Sequence, residues 1–416
     1  MAYATVVENF LRYVKLDTQS SEETSDKVPS TDKQRALAKL LQQELTALGA
    51  SQVRYDEAHS YVYAVIPSNI EGQNEAPAVG FIAHMDTAPA VSGADVNPRI
   101  IENYDGNDIV LNQEQQIVTR VSEFPMLRDC RGKQLIVTDG NTLLGGDDKA
   151  GVAEIMAMAA YLLAHPEIKH GKVCIGFTPD EEVGNGVEYF DIKNFGADYA
   201  YTVDGGMLGD LSYECFHAAG AVLTVTGKSV HPGYAKNIMK NAVKLAYEFH
   251  AALPDECPEN TEGYEGFYHV DGMKGTVEQA VAEYIIRDHD KAKFEERKAI
   301  FQKTAETLNQ KYGAGTFEVK ITDSYCNMRE MIEKKMEIVD NAVEAMKQAG
   351  VEPRISAIRG GTDGARLSFD GLLCPNICTG SEGHHGRHEF ACVEDMEKIV
   401  EILLNIITIT AKKSHL

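Results

Sequence analysis

No apolar run in this 416-residue chain is long enough to span a membrane, and the greasiest helical stretch, Gly151 to Leu163, is interrupted by Glu154. Positive charge is scarce. Forty Lys and Arg face 63 Asp and Glu, a formal net charge of -23, and no basic stripe is present to neutralise phosphates. Nucleic acid and membrane surfaces are therefore not the expected partners. Met1 to Glu8 has no basic region followed by a long apolar one, so no secretory signal is expected. The eight cysteines are scattered, and the closest pair, Cys374 and Cys378, has neither redox nor zinc-knuckle spacing. Reduced thiols in a cytoplasmic protein are the expectation. A Gly-x-Ser-x-Gly nucleophile elbow is missing too, and no cysteine has a distinctive nucleophile signature around it.

What the chain does have is an α/β rhythm. Helical periodicity runs from Tyr3 to Leu16 and from Ser30 to Leu48, the latter with Thr31 and Gln34 spaced as a capping box and Gly49 as a stop. Strand-like runs at Tyr61–Ile66, Ala78–His84, Val173–Phe177 and Tyr199–Val203 alternate with a helix over Lys149–Ala164. This pattern predicts a sheet covered on both faces, with ligands at the carboxyl ends of its strands. Between about Leu211 and Thr322 the character changes. Strands at Ala221–Thr226, Gly266–Val270, Thr276–Arg287 and Thr316–Ile321, with helices over Asn237–Leu253 and Asp290–Lys311, make a small α+β insert. The α/β pattern then resumes with helices at Met328–Gln348 and Val393–Ala411 and strands near Ile355 and Ile377. The expected domains are 1–211 and 323–416, one discontinuous catalytic domain, and 212–322, an inserted lid.

Charged residues gather where the strand-like runs end: His84-Met85-Asp86, Asp147-Asp148, Glu181-Glu182 and Asp204, with His385 after the insert. Histidines and carboxylates converging at strand ends can hold divalent metal and leave carboxylates for proton transfer. A core has no use for so much unpaired charge. Each motif alone has a blander reading. His84 and Asp86, two apart, point to one side of a strand end, where one ligates and the other orients it, but such pairs also simply close loops. The acids after Gly145-Gly146 suit a helix dipole, though not a phosphate loop, since the Walker pattern is absent. Asp180-Glu181-Glu182 reads as a solvated turn unless a carboxylate faces inward. At most one of His384, His385 and His388 is expected as a ligand, and His231, before Pro232, reads by itself as a turn residue.

Taken together, Ala83–Ala88, Gly146–Gly151, Thr178–Gly184, Thr202–Gly206, Val230–Lys236, Arg359–Ala365 and His385–Phe390 resemble the M20 family of metallopeptidases over nearly the whole length. The resemblance implies a zinc-peptidase-like catalytic domain with a central mixed sheet and a ferredoxin-like lid. It implies two zinc ions per subunit bridged by Asp147, one completed by His84 and Asp204 and the other by Glu182 and His385. Asp86 would orient His84, Glu181 would be the general base, and His231 would meet the developing oxyanion. His384 stands where the family pattern has an aromatic, and distance from His388-Glu389 selects His385. The resemblance also implies a cis peptide between Asp147 and Asp148. Arg287 and Arg359 are the candidates for the substrate carboxylate, with a structural ion pair as the alternative for both. The activity implied is removal of the N-terminal residue from tripeptides. Another M20 activity, on dipeptides or N-acyl amino acids, is the nearest rival, and a non-catalytic binding protein the more distant one. The lid allows a homodimer.

Overall fold

The computed structural model describes residues 5–70 and 76–413, so the first residues of the expected Tyr3 helix lie outside the described part. Two compact units emerge, one from the chain up to Tyr213 with Glu330–Ser356 and everything from Thr362, the other from Glu214–Arg329 with Ala357–Gly361. Arg359 thus groups with the second unit.

The first unit is built on an eight-stranded mixed sheet. Its strands are β1 (Ser51–Tyr55), β2 (Val62–Ile66), β3 (Val79–His84), β4 (Val173–Thr178), β5 (Tyr199–Gly205), β6 (Asp210–Ser212), β7 (Arg354–Ile355) and β8 (Asn376–Cys378), in the order β1-β2-β4-β3-β5-β8-β6-β7. β3 and β4 are buried along their whole length, as strands covered on both faces must be. Alternation along β3 sends Phe81 to stack on Tyr201 and Ile82 into a cluster with Tyr63, Phe190, Phe195 and Leu367. Helices α1 (Thr5–Tyr13), α2 (Gln34–Leu48), α3 (Gly146–Ala164), α4 (Glu337–Gln348) and α5 (Val393–Thr410) surround it. α3 packs on β3 and β5, α1 and α5 pack on α3, and α4 packs on α5. The approach of α3 to β5 depends on Gly151: a Cβ there would come within 1.8 Å of the Val203 carbonyl oxygen. A smaller sheet orders Ser381–Glu382, Phe390–Cys392, Leu135–Val137 and Arg99–Ile101, and the first two of these strands form a hairpin whose loop carries His384 to Glu389.

The second unit is a four-stranded antiparallel sheet in the order Phe267–Gly275, Gln279–Asp288, His217–Thr226, Phe317–Tyr325, with helices Ala242–Ala251 and Lys291–Tyr312. Ala219, Ala221, Leu223 and Val225 alternate into a core with Phe249, Tyr284, Phe301 and Phe317. The first helix begins later than its periodicity suggests. Asn237 adopts left-handed backbone at φ 63°, and the Asn241 side chain accepts the Lys244 amide at 3.2 Å and caps the start.

The expected capping box at Thr31 and Gln34 does not form. α2 starts at Gln34 after an uncapped Lys33, because Thr31 donates instead to the Gln19 carbonyl at 2.6 Å and the Gln34 side chain is engaged by Asp180. Gly49 does stop the helix, at φ 89°.

Glu154, the charge that interrupts the apolar stretch of α3, is fully buried, and neither carboxylate oxygen has a hydrogen-bond partner among the described residues. Burial raises its pKa well above the ordinary value, with the Asp395 charge adding to the rise. A raised folded pKa means the stability linked to this group is fully present below the unfolded pKa and lost as pH rises through the folded one. Glu154→Gln is therefore expected to match the parent near pH 4 and to exceed it by about 1–3 kcal/mol near pH 8. Denaturant melts at both pH values check this. An equal difference at the two would show that the carboxyl does not titrate with folding.

Candidate metal centre and its catalytic carboxylates

β3 runs parallel to β4 and to β5, with His84 opposite Thr178, so the carboxyl ends of all three open on one side. His84 ends β3, Glu181 and Glu182 sit in a tight turn just past β4, and Asp204 lies near the end of β5. Asp147 comes from the start of α3, where it and Asp148 leave helical geometry and the bond between them is cis. His385 arrives from the hairpin loop in left-handed backbone at φ 61°.

The two oxygens of Asp147 face different neighbours. Oδ1 lies 2.8 Å from His84 Nε2, which in turn is 3.5 Å from Asp204 Oδ1. Oδ2 lies 3.1 Å from His385 Nε2, which is 2.9 Å from Glu182 Oε2. His84, Asp147 and Glu182 form one group whose donor atoms lie within 4.8 Å of one another, and His84, Asp148 and Asp204 form another. Glu182 Oε1 is buried without a hydrogen-bond partner among the described residues, although its side chain is only 4% exposed. Three carboxylates against two imidazoles, with a buried oxygen left over, are what a cation site requires. The residues fit two divalent ions sharing Asp147.

The electrostatics agree. Burial disfavours charge on Asp147, yet the neighbouring His384, His385 and His84 hold its carboxyl well below the ordinary range. Hydrogen bonds to the Asp147 and Glu182 carboxylates push His385 up to about 11. Burial, with Asp147 adding, raises Glu182 to about 7. Glu181 is raised well above a normal glutamate by burial; Asp204, Asp363 and Glu182 add to this while His84 opposes it. A carboxyl with that affinity for a proton suits general acid–base work.

Around this set lies a supporting layer. His84 Nδ1 is 3.3 Å from Asp86 Oδ1 and 3.1 Å from the Asp86 carbonyl oxygen. The same Asp86 carboxylate accepts the Glu181 and Glu182 amides at 3.0 and 3.2 Å. Asp148, whose pKa burial raises well above normal, accepts the His84 amide at 3.1 Å and the Gly151 amide at 3.3 Å, a role in holding backbone. Glu389 was missed by residue-level reasoning. Its buried carboxylate accepts the amides of Leu144, Gly145 and Asp147 at 2.8, 2.7 and 2.9 Å and so fixes the loop that presents Asp147. Asp180 and Asp363 were missed likewise; Asp363 accepts from the Thr178 hydroxyl at 2.8 Å. Only the acidic run Asp180–Glu182 could have marked the first, and only the Arg359–Ala365 motif the second. The remaining histidines separate: His384 Nε2 meets Ser381 Oγ at 3.0 Å, with Nδ1 3.6 Å from Asp147 Oδ2, and His388 Nδ1 meets Thr119 Oγ1 at 2.9 Å.

Three candidate residues belong to the second unit. His231 is exposed, and its Nδ1 accepts the Gly233 amide at 3.2 Å. Arg287 donates to the carbonyls of Ala219 and Ile286 at 3.3 and 3.1 Å and lies over the Tyr325 ring. Arg359 donates to the carbonyls of Gly263 and Glu265 at 2.7 and 2.9 Å and lies over Phe216 and Phe267. The partners of both guanidiniums are thus carbonyls and aromatic rings, with the Thr261 hydroxyl added for Arg359.

Residues 213–316 match the family described as a peptidase dimerisation domain. A protein of Clostridium novyi named peptidase T is 54% identical, covering 98% of this chain and 99% of its own length. The chain belongs to the peptidase T family of M20 peptidases. Two solved structures share the fold of this peptidase T family member over 99% of each chain. Aminopeptidase PepT of Bacillus cereus has a TM-score of 0.77 at 23% identity, and a tripeptidase of Staphylococcus aureus 0.79 at 21%.

Proposed function

We propose that this chain is a dinuclear metallo-aminopeptidase that releases the N-terminal residue of tripeptides, with Glu181 as general base and zinc as the metal. The observation that carries the metal reading is the divided environment of Asp147, one oxygen toward His84 and Asp204 and the other toward His385 and Glu182. The names of the relatives carry the tripeptide reading. His84, Asp204 and Asp147 would hold one ion, and Glu182, His385 and Asp147 the other. When bound, the ions supply Lewis acidity for water and for the scissile carbonyl. Glu181 takes a proton from the attacking water and returns it to the nitrogen of the leaving dipeptide. Asp86 holds the His84 ring on one side and the Glu181–Glu182 backbone on the other. Arg287 and Arg359 are the cations in reserve for the substrate carboxylate.

The test is a panel of tripeptides, dipeptides and N-acetyl amino acids. Release of the first residue from tripeptides is expected, and preference for N-acetyl amino acids would overturn the substrate reading. A homodimer fits the dimerisation-domain match. Eight free thiols and the lack of any membrane-crossing helix among the described residues fit a cytoplasmic location.

His231 is proposed to donate to the oxyanion. His231→Ala should lower kcat about 10²–10³-fold, the size typical of one oxyanion donor, while KM changes little. Metal content and Tm should stay at the parent's values, since His231 is exposed and its ring contacts are local. A near-normal kcat with a lowered Tm would leave it a turn residue.

A further inference from the structure

Gln34 and Ser30 reach from the N-terminal segment into the turn that carries both catalytic-type glutamates. Asp180, immediately before that turn, is fully buried and sits in left-handed backbone at φ 51°, where its side chain makes no cap. Its carboxylate instead accepts the Ser30 amide and hydroxyl at 2.5 and 2.6 Å and the Gln34 amide nitrogen at 2.5 Å. Gln34 Oε1 accepts the Asp180 amide in return, at 3.1 Å, so the two residues clasp each other in both directions. A second link follows, from Asn185 Nδ2 to the Ser25 carbonyl at 2.8 Å.

The other end of the same segment is fixed to the strand end that bears His84. The Ser20 amide and hydroxyl both donate to the Thr87 carbonyl at 3.2 Å, and Gln19 Nε2 donates to the Val91 carbonyl at 3.0 Å. Thr31 Oγ1 to the Gln19 carbonyl and Lys33 to Asp17, at 2.6 and 2.8 Å, close the segment on itself. It is therefore a strap, residues 17–34, tied to the loop after β3 and to the turn after β4.

The Glu181–Glu182 turn is thus held by two carboxylates in different ways. Asp86 takes its amides, and Asp180 anchors its entry through the strap. With Asp86 alone, the turn keeps a pivot but loses its second fixed point. We propose that the Asp180–Gln34–Ser30 clasp positions Glu181 for proton transfer, so that the strap sets the geometry of the general base without touching substrate. The proposal rests on Glu181 being that base. Misplacement by about 1 Å costs on the order of 10²-fold in rate, so a clasp of this kind has kinetic weight.

The experiment uses the metal-loaded full chain. Gln34→Leu removes both hydrogen bonds between Gln34 and Asp180 at nearly constant volume and leaves those from Ser30. It is expected to lower kcat about 10–100-fold with KM within about twofold. The solvent deuterium isotope effect on kcat should rise as proton transfer becomes limiting. Independently of activity, the Glu181 and Glu182 amides should exchange hydrogen faster while the two-metal content stays unchanged. Asp180→Asn combined with Gln34→Glu exchanges donor and acceptor across the clasp and should recover most of the lost kcat. A parent-like kcat and isotope effect in Gln34→Leu overturn the proposal, whatever happens to Tm. If Gln34→Leu does not fold, Gln34→Asn, one methylene too short to reach, decides by the same readouts. Glu181→Gln separates the two levels: if that variant stays active the base assignment fails, and if it is inactive while both Gln34 variants are normal only the clasp fails.

Discussion

Glu181→Gln is expected to lose about 10²–10⁴-fold in kcat while binding as much metal as the parent. The substitution keeps the shape of the side chain and leaves the backbone amide of residue 181 on Asp86, so the turn should not move. What it removes is a carboxylate whose proton affinity is raised, first by burial and then by neighbouring acids, toward the range in which a group can both take and give a proton. KM should change little, because the lost interaction belongs to the transition state. Metal analysis on the assayed preparation is the critical control. A variant that has lost an ion would make residue 181 a ligand and transfer the role of base to Glu182.

Asp147→Ala is expected to abolish activity and both metal ions together. Each oxygen of Asp147 faces one histidine–carboxylate pair, so removing the side chain takes a ligand from each ion at once. Asp204→Ala, by contrast, should release one. The same preparations give a thermal readout. An ion at about 1,000 times its Kd stabilises the folded chain by about 4 kcal/mol, so metal should raise the parent's melting temperature and leave Asp147→Ala where the chelated parent lies. One ion held tightly by Asp147→Ala would show that the carboxylate does not bridge.

Much of this site was legible in the sequence because its side chains terminate apolar strands. His84 and Asp204 finish runs that only a covered sheet would bury, and the acidic turn follows a third. Charge at such a place calls for a reason that a surface turn does not. The braces were harder to read. Glu389 looks like the tail of a histidine motif, and nothing in its spacing says that it receives three amides from the turn that opens α3. Thr31 and Gln34 have the spacing of a capping box, and local pattern cannot reveal that buried Asp180 offers Gln34 a better partner. Arg359 follows the insert by more than thirty residues in the sequence, yet it folds with the insert because carbonyls of Gly263 and Glu265 collect its guanidinium. In each case a long-range hydrogen bond overrode a short-range signal.

The reach of Glu389 back to the Asp147 loop, across 242 residues, has a consequence for how the enzyme comes into being. A ribosome delivers His84, Asp147, Glu181, Glu182 and Asp204 first, then a whole second unit, and only after it His385 and the carboxylate that steadies Asp147. Until those later segments emerge, the growing polypeptide holds one donor pair of two and an unbraced loop. The metal donors are thus synthesised without a finished blade, and their chemistry waits for segments made after the whole second unit.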